Sequence, residues 1–161
     1  MEAVSPTPIP RVPGVAIFLF STSRVAPPAL IANLRYNKVL HDRTYILSIK
    51  TQDIPRVPPE ERSEVVDLGS GVRQITLNYG FIEEPNARLG LTEGAVAELA
   101  IRPDDATYFL GAESLNVTEN AGMARWREQL FTIMARNTTR AARFFNLPSD
   151  RTVEVGIQVD L

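Results

Sequence analysis

Few residues of this chain have the chemistry and spacing that a catalytic or metal site needs. The chain has one histidine, His41, and no cysteine, so it offers neither a Cys-His pair nor a zinc-ligand spacing. Gly69-Ser70-Gly71 is followed by neither a lysine nor a helical pattern, which argues against a phosphate-binding loop. The sequence therefore predicts no enzyme active site, no cofactor and no metal.

Gly69-Ser70-Gly71 instead predicts a hairpin between strands over residues 64–68 and 72–81. In the second strand one side is expected to be buried and the other wetter, with Ile75, Leu77, Tyr79 and Phe81 on one face and Gln74, Thr76 and Asn78 on the other.

The adjacent carboxylates Glu83 and Glu84 are the strongest acidic motif. Neighbouring side chains on a turn rarely converge on one atom, and cations require more ligands than two. We therefore expect a solvated turn, or a pair that recognises an arginine, rather than acid–base chemistry or a cation site.

Three polar residues interrupt apolar helical stripes. At 100° per residue, a helix over residues 29–43 places Asn37 and His41 on the same face as Leu30 and Leu34. Asn137 interrupts the stripe of a second helix, predicted over residues 122–146. Buried polar groups need partners, so we expect all three to be buried and hydrogen-bonded, while a ligand contact of His41 stays open.

Other helix positions suggest contact surfaces. Tyr36 and Val39 are apolar residues on the outward side of the first helix, and we expect them to form part of a protein contact. Arg125, Arg136 and Arg143 cluster on the outer side of the second helix. That cluster is either a solvated face or a docking site for an acidic surface or anionic head groups.

The elements that position these residues are those of an α/β domain. Residues 15–20 are uniformly apolar, which is typical of a strand buried on both faces. With the following helix and a strand over residues 44–51 they predict a right-handed crossover between parallel strands. We expect a mixed, mostly parallel sheet of five or six strands in three layers, with helices on its faces. Parallel sheets bind ligands at the carboxyl ends of their strands, so the predicted ligand rim is Ser21, Arg24 and Thr51.

Composition agrees with a globular domain. The chain has 161 residues, 44% of them hydrophobic and 22% charged, with a net charge of −2. This charge gives no reason to expect a nucleic acid partner. The longest apolar run falls far short of the ~20 residues that a membrane helix needs. We expect a linker or added tail over residues 1–10 and one soluble domain over residues 11–161.

Several motifs resemble the cytoplasmic C-terminal domain of Kup-type potassium uptake transporters (the KUP/HAK/KT family). They occur in order along the chain from Arg11 to Leu161. The motifs are Arg11-Val12-Pro13-Gly14, Asn33-Leu34, Asn37-Lys38-Val39-Leu40-His41, Pro55-Arg56-Val57-Pro58, Tyr79-Gly80-Phe81, Glu83-Glu84-Pro85, Tyr108-Phe109-Leu110-Gly111, Gly122-Met123-Ala124, Trp126-Arg127-Glu128, Phe144-Phe145-Asn146-Leu147-Pro148, Val153-Glu154-Val155-Gly156 and Gln158-Val159.

The resemblance implies a domain at the cytoplasmic face of the inner membrane, part of a potassium:proton symporter whose membrane-embedded half conducts the ion. Such a domain would assemble or regulate the transporter, with self-association as a homodimer favoured, and would not transport by itself. The alternative is a freestanding module that binds a small ligand, such as a cyclic dinucleotide or another nucleotide.

Overall fold

The computed structural model describes residues 8–20, 26–112 and 146–156. In these residues six strands form one sheet in the order β3-β4-β2-β1-β5-β6. The strands are β1 (Arg11–Leu19), β2 (Leu40–Gln52), β3 (Ser63–Asp67), β4 (Val72–Gly80), β5 (Thr107–Ala112) and β6 (Thr152–Gly156). All neighbouring strands are parallel except β3 and β4, which form an antiparallel hairpin. The expected mixed, mostly parallel α/β fold is confirmed.

Strand β1 lies at the centre of the sheet because both of its faces are apolar. Ile17 and Leu19 belong to the main core, with Tyr45, Leu77 and Tyr108. Ala16 and Phe18 point the other way into a second, smaller core, where the Phe18 ring stacks on Phe109 at 4.6 Å between centroids. A strand with no polar face can only be an inner strand.

The first helix is shorter than the sequence pattern predicts. Helix α1 covers Pro28–Ala32 and continues as a π-helical turn over Asn33–Asn37, closed by the hydrogen bond from Lys38 N–H to the Asn33 carbonyl at 3.1 Å. Lys38 has a left-handed backbone, φ 57°, which ends the helix. Strand β2 therefore begins at Leu40, and residues 40–43 are strand rather than helix.

The hairpin around Gly69-Ser70-Gly71 is present as expected, but two inferences about its second strand are wrong. Ile75, Leu77 and Tyr79 of β4 are buried in the main core as predicted, whereas Phe81, predicted on the same face, follows the end of the strand and is exposed. The opposite face was expected to be wetter, yet Thr76 and Asn78 are also buried. Strand β4 is an inner strand between β3 and β2. On this face the side chain of Gln52 in β2 covers Asn78, and its Nε2 donates to Asn78 Oδ1 at 2.7 Å.

Shorter elements complete the described part of the chain. Helix α2 covers Ala87–Gly90, and Asn86 caps it by accepting the Leu89 N–H. Short 3₁₀ helices cover Pro59–Glu61, Gly94–Leu99 and Ser149–Arg151. The predicted helix over residues 122–146 lies outside the described residues except for Asn146, and so do Ser21, Arg24, Arg125, Arg136, Asn137 and Arg143.

Candidate functional site

The most elaborate polar arrangement of the described residues lies at the carboxyl ends of β2 and β4. Two loops meet there, residues 53–62 after β2 and residues 81–86 after β4. Phe81 N–H donates to the Ile54 carbonyl at 2.9 Å and Ile82 N–H to the Pro55 carbonyl at 3.2 Å. These bonds extend the pairing of the two strands into their loops.

Arg62 lies at the centre of this arrangement, and its side chain is only 8% exposed. Its Nη1 donates to the Asn78 carbonyl at 2.8 Å, and its Nη2 donates to the Val57 carbonyl at 3.1 Å. The guanidinium carbon lies 4.3 Å from the centre of the Tyr79 ring, in a cation–π contact. One buried cation thus connects the strand end, the first loop and the core.

Glu83 is the carboxylate that neutralises Arg62. Nη2 donates to Glu83 Oε1 at 2.8 Å and Nη1 to Oε2 at 3.1 Å, a two-pronged pairing of guanidinium with carboxylate. Glu83 Oε2 also accepts the backbone N–H groups of Gly80, at 2.6 Å, and Val57, at 3.0 Å. We call Arg62, Glu83 and these backbone groups the arginine clasp.

Two further groups surround the clasp. Arg62 Nε lies 3.4 Å from Glu93 Oε2 in an ion pair, although the atoms are not aligned for a hydrogen bond. The Tyr79 hydroxyl donates to the Asn86 carbonyl at 2.6 Å, which attaches the start of helix α2 to the end of β4.

Two glycines are required for this close packing. A Cβ at Gly80 would collide with the backbone carbonyl of Pro55, which cannot move away as a side chain could. A Cβ at Gly90 would lie 2.6 Å from the Tyr79 hydroxyl and 2.8 Å from Leu77 Cδ1. The Tyr-Gly motif at 79–80 therefore has a structural explanation, since the two loops need this approach to meet.

The electrostatics of the clasp fix its charge state. The hydrogen bonds from Arg62, and then those from the Gly80 and Val57 N–H groups, lower the pKa of Glu83 to about 2 against the opposing effect of burial. The hydrogen bond with Glu83 in turn raises the pKa of Arg62. Burial raises the pKa of Tyr79 to about 12. A pair charged throughout the neutral range holds a loop in place and does not shuttle protons at neutral pH.

Two clefts open beside the clasp. The larger, of about 560 Å³, lies at the ends of β2 and β4 and is lined by Gln52, Asp53, Ile54, Val57, Glu61, Ser63, Glu64 and Asn78. The smaller, of about 330 Å³, has Arg62, Glu83 and Tyr79 in its wall, with Arg56, Ile82, Glu84 and Leu89 around them. Carboxylates dominate the larger cleft, which makes it unfavourable for phosphate groups.

The predicted buried asparagine is displaced by one helical turn. Asn37 is exposed, so the expectation that it is buried is wrong, and its Nδ2 donates to Asn33 Oδ1 at 2.8 Å. Asn33 is the buried residue, 6% exposed, and its Nδ2 donates to the Val39 carbonyl at 2.9 Å. The π-helical turn advances each residue by less than 100°, so a wheel drawn for an α-helix assigns the wrong face.

His41 is half-buried on strand β2 rather than on a helix. Its ring meets the Phe109 ring edge-on, 6.1 Å between centroids. Within the described residues, its Nδ1 is buried and has no hydrogen-bond partner. Burial lowers the pKa of His41, opposed by the charge of Asp42. The neutral imidazole is thus favoured, and its expected hydrogen bond is not found in the part of the chain that the structure describes.

The remaining predicted residues do not come together in one site. Tyr36 is 75% exposed and Val39 half-buried, so their protein contact stays a prediction. Thr51 lies near the end of β2, but Ser21 and Arg24 of the same predicted rim are outside the described ranges. The strand order reverses between β1 and β5, the position where such sheets bind ligands, and the residues that follow both strands are not described.

Sequence reasoning missed Arg62, which ends a proline-rich stretch without a helical or strand pattern. The available signal was the acidic pair itself, for which an arginine partner was one of two interpretations. The structure confirms that interpretation for Glu83, whereas Glu84 is exposed. No pattern in the sequence indicated which arginine would be buried.

The described residues also limit the chemistry of the site. In residues 8–20, 26–112 and 146–156, no three His, Asp or Glu side chains gather as metal ligands would. Over the same ranges, no helix is long and apolar enough to cross a membrane. What the fold defines here is an α/β domain whose main polar site is a structural clasp.

Comparison with known proteins gives the family. Residues 13–161 match the model of the K+ potassium transporter C-terminal domain, and the chain belongs to this family. The resemblance noted in the motifs is thereby confirmed. No solved structure matches the chain.

The relatives are potassium transport proteins much longer than this chain. The chain is 44% identical to the "Probable potassium transport system protein Kup 1" of Geobacter sulfurreducens, over 100% of the chain and 26% of that protein. It is 42% identical to the "Probable potassium transport system protein Kup 2" of Chromobacterium violaceum and 40% identical to the Kup protein of Pseudomonas fluorescens, in each case over 25% of the relative. The chain therefore spans about a quarter of the length of these relatives.

Proposed function

We propose that this chain is the cytoplasmic domain of a Kup-type potassium:proton symporter, and that it assembles or regulates the transporter without moving ions itself. The observation that carries the proposal is the match of residues 13–161 to the C-terminal domain of potassium transporters. The domain would lie at the cytoplasmic face of the inner membrane, attached to a membrane-embedded half.

A regulatory domain can alter transport only if a ligand or partner binds one of its conformations more tightly than another. We favour self-association as a homodimer over control by a small ligand. The larger cleft supports this preference for self-association. The carboxylates of Asp53, Glu61 and Glu64 in its wall would repel the phosphates of a nucleotide. A cyclic dinucleotide bound at the rim of Ser21, Arg24 and Thr51 is the alternative.

The test removes residues 11–161 from the full-length transporter that carries them and measures potassium uptake in cells without an uptake system of their own. We expect the truncated protein to lose uptake, its regulation or its oligomeric state, while the isolated chain in liposomes passes no potassium. Truncation without any effect on these three properties would contradict the proposal, and so would nucleotide hydrolysis by the purified chain.

Calorimetry with cyclic dinucleotides and ATP, beside sedimentation of the same sample, separates the two modes of control. Self-association without nucleotide binding is expected. Micromolar nucleotide binding by a strict monomer would favour the ligand-binding alternative.

A further inference from the structure

Four large apolar side chains are exposed together at the carboxyl edge of the sheet. Ile54 is 44% exposed, Phe81 57%, and Ile82 and Leu89 each 56%. Phe81 and Ile54 are joined by a backbone hydrogen bond, and Ile82 and Leu89 line the same small cleft. Single exposed apolar residues are ordinary, but a contiguous group indicates a contact surface. We call these four residues the edge surface.

The clasp holds this surface rigid. Glu83 follows Ile82 directly and is bonded to Arg62 and to two backbone N–H groups. Pro55, beside Ile54, lies against the backbone of Gly80. A surface already ordered before binding loses little conformational entropy on contact, which favours its use as an interface.

The charges in the walls of the two clefts beside the edge surface are mainly negative. Exposed carboxylates of Asp53, Glu61, Glu64 and Glu84 line the two clefts that flank it. Arg62 is buried and neutralised by Glu83, which leaves Arg56 as the exposed cation among the described residues of both cleft walls. The surface is thus apolar with an acidic rim.

We propose that the edge surface docks on positively charged cytoplasmic loops of the membrane-embedded half of the same transporter. This inference rests on the proposed function. The relatives have about three quarters of their length outside the region that this chain matches, and cytoplasmic loops of membrane proteins carry an excess of Lys and Arg. Such loops supply the charge that the acidic rim attracts.

The same charges argue against two other occupants. A second copy meeting this surface about a two-fold axis would bring two acidic rims together, because such an interface uses one patch twice. The anionic head groups of the cytoplasmic leaflet would likewise be repelled. A basic protein surface is the occupant that both the apolar centre and the acidic rim fit.

A photo-cross-linking amino acid tests the occupant in the full-length transporter that carries this domain. It is placed at Phe81 or Leu89, with Leu68 as the matched control. Leu68 is 51% exposed and lies just before β4, at the opposite edge of the sheet. We expect Phe81 and Leu89 to capture peptides from loops of the membrane half, and Leu68 to capture none. Capture of a second copy of the domain, capture of lipid alone, or equal yields at all three positions would overturn the proposal.

Charge reversal provides a second measurement. The double variant Glu61→Lys/Glu64→Lys should reduce the cross-link from Phe81 roughly tenfold, because like charges then face the loops. Both residues are exposed, so the circular dichroism and melting temperature of the domain should be unchanged. An undiminished cross-link would contradict the proposal. Truncation of residues 11–161 tests the proposed function separately. If truncation alters uptake or assembly while the charge-reversal variant alters neither the cross-link nor uptake, the proposed docking surface is wrong but the proposed function stands.

Discussion

Two arginines hold loops at opposite edges of the sheet, and they do so by different means. Arg62, at the carboxyl edge, is buried and forms a two-pronged ion pair with Glu83. Arg11, at the amino edge, is exposed. Within the described residues it donates to two carbonyls, those of His41, at 3.0 Å, and of Ser70 in the β3–β4 turn. A buried charge has no water to replace a lost partner, whereas an exposed one does. The carboxyl edge should therefore be far more sensitive to mutation than the amino edge.

The largest effect is expected from Glu83→Leu. The variant leaves Arg62 buried without its main counter-ion and deprives two backbone N–H groups of their acceptor, so the free energy of unfolding should fall by about 3–5 kcal/mol. Urea unfolding of the purified chain measures it. The control Glu84→Leu, at an exposed position, should change the value by about 0.5 kcal/mol or less.

The double variant Arg62→Met/Glu83→Leu sharpens this prediction. It removes both charges together, and replacing a buried ion pair by apolar side chains is often nearly neutral. We expect the double variant to be more stable than Glu83→Leu alone. If the losses of unfolding free energy from Arg62→Met and Glu83→Leu simply add in the double variant, Arg62 and Glu83 do not act as one unit.

The pH dependence of stability gives the next test. Glu83 has an ordinary pKa of 4.5 and a pKa of about 2 in the folded chain. A carboxyl with a lowered pKa stabilises the fold fully above its unfolded value and progressively less as the pH falls. The stability difference between the native chain and Glu83→Gln should thus be constant above pH 4.5 and shrink towards pH 2. A difference that does not change over this range would show that the clasp does not lower the pKa of Glu83.

A smaller effect is expected at the end of the first helix. Asn33→Leu removes the bond to the Val39 carbonyl and strands a buried acceptor, at a cost of about 1–3 kcal/mol. Asn37→Leu, at an exposed position, should cost about 0.5 kcal/mol. Thermal melting of both variants compares their stability. An equal loss at the two positions would contradict the finding that Asn33 is the buried asparagine and Asn37 the exposed one. Asn137→Leu keeps its expected cost of about 1–3 kcal/mol as a prediction from sequence.

The smallest effect is expected from Arg11→Ala. Water can replace the exposed guanidinium at both carbonyls, so the free energy of unfolding should fall by about 1 kcal/mol or less. Hydrogen exchange at Val72, whose N–H bonds to Gly69 in the turn that Arg11 contacts, should accelerate while Gly80 stays protected. A loss as large as that of Glu83→Leu would remove the contrast between the two edges.

The fold was largely predictable because it depends on patterns of apolar residues. The unbroken apolar run in β1 indicated an inner strand, and the paired glycines at 69 and 71 indicated a hairpin. The end of the first helix was not predictable in the same way. The side chain of Asn33 bonds to Asn37 and to the Val39 carbonyl across the π-helical turn. Leu40 and Tyr45 belong to β2 because their side chains are buried in the two cores of the sheet.

The candidate site was predictable only in part. Glu83 was noticed because two carboxylates are adjacent, but its partner Arg62 lies in a proline-rich stretch that has no periodicity. Which arginine becomes buried depends on the three-dimensional approach of two loops, and Gly80 permits that approach. A single sequence contains the residues of such a contact without indicating their pairing.

Potassium uptake by edge-surface variants tests the central claim, that the domain acts on the transporter through its carboxyl edge. The full-length transporter carrying Phe81→Ser/Leu89→Ser is compared with the Leu68→Ser variant and the native protein at equal amounts in the membrane. The account predicts altered uptake for the edge-surface variant and native uptake for Leu68→Ser. Native uptake by both variants, in a transporter whose uptake changes when residues 11–161 are removed, would contradict it.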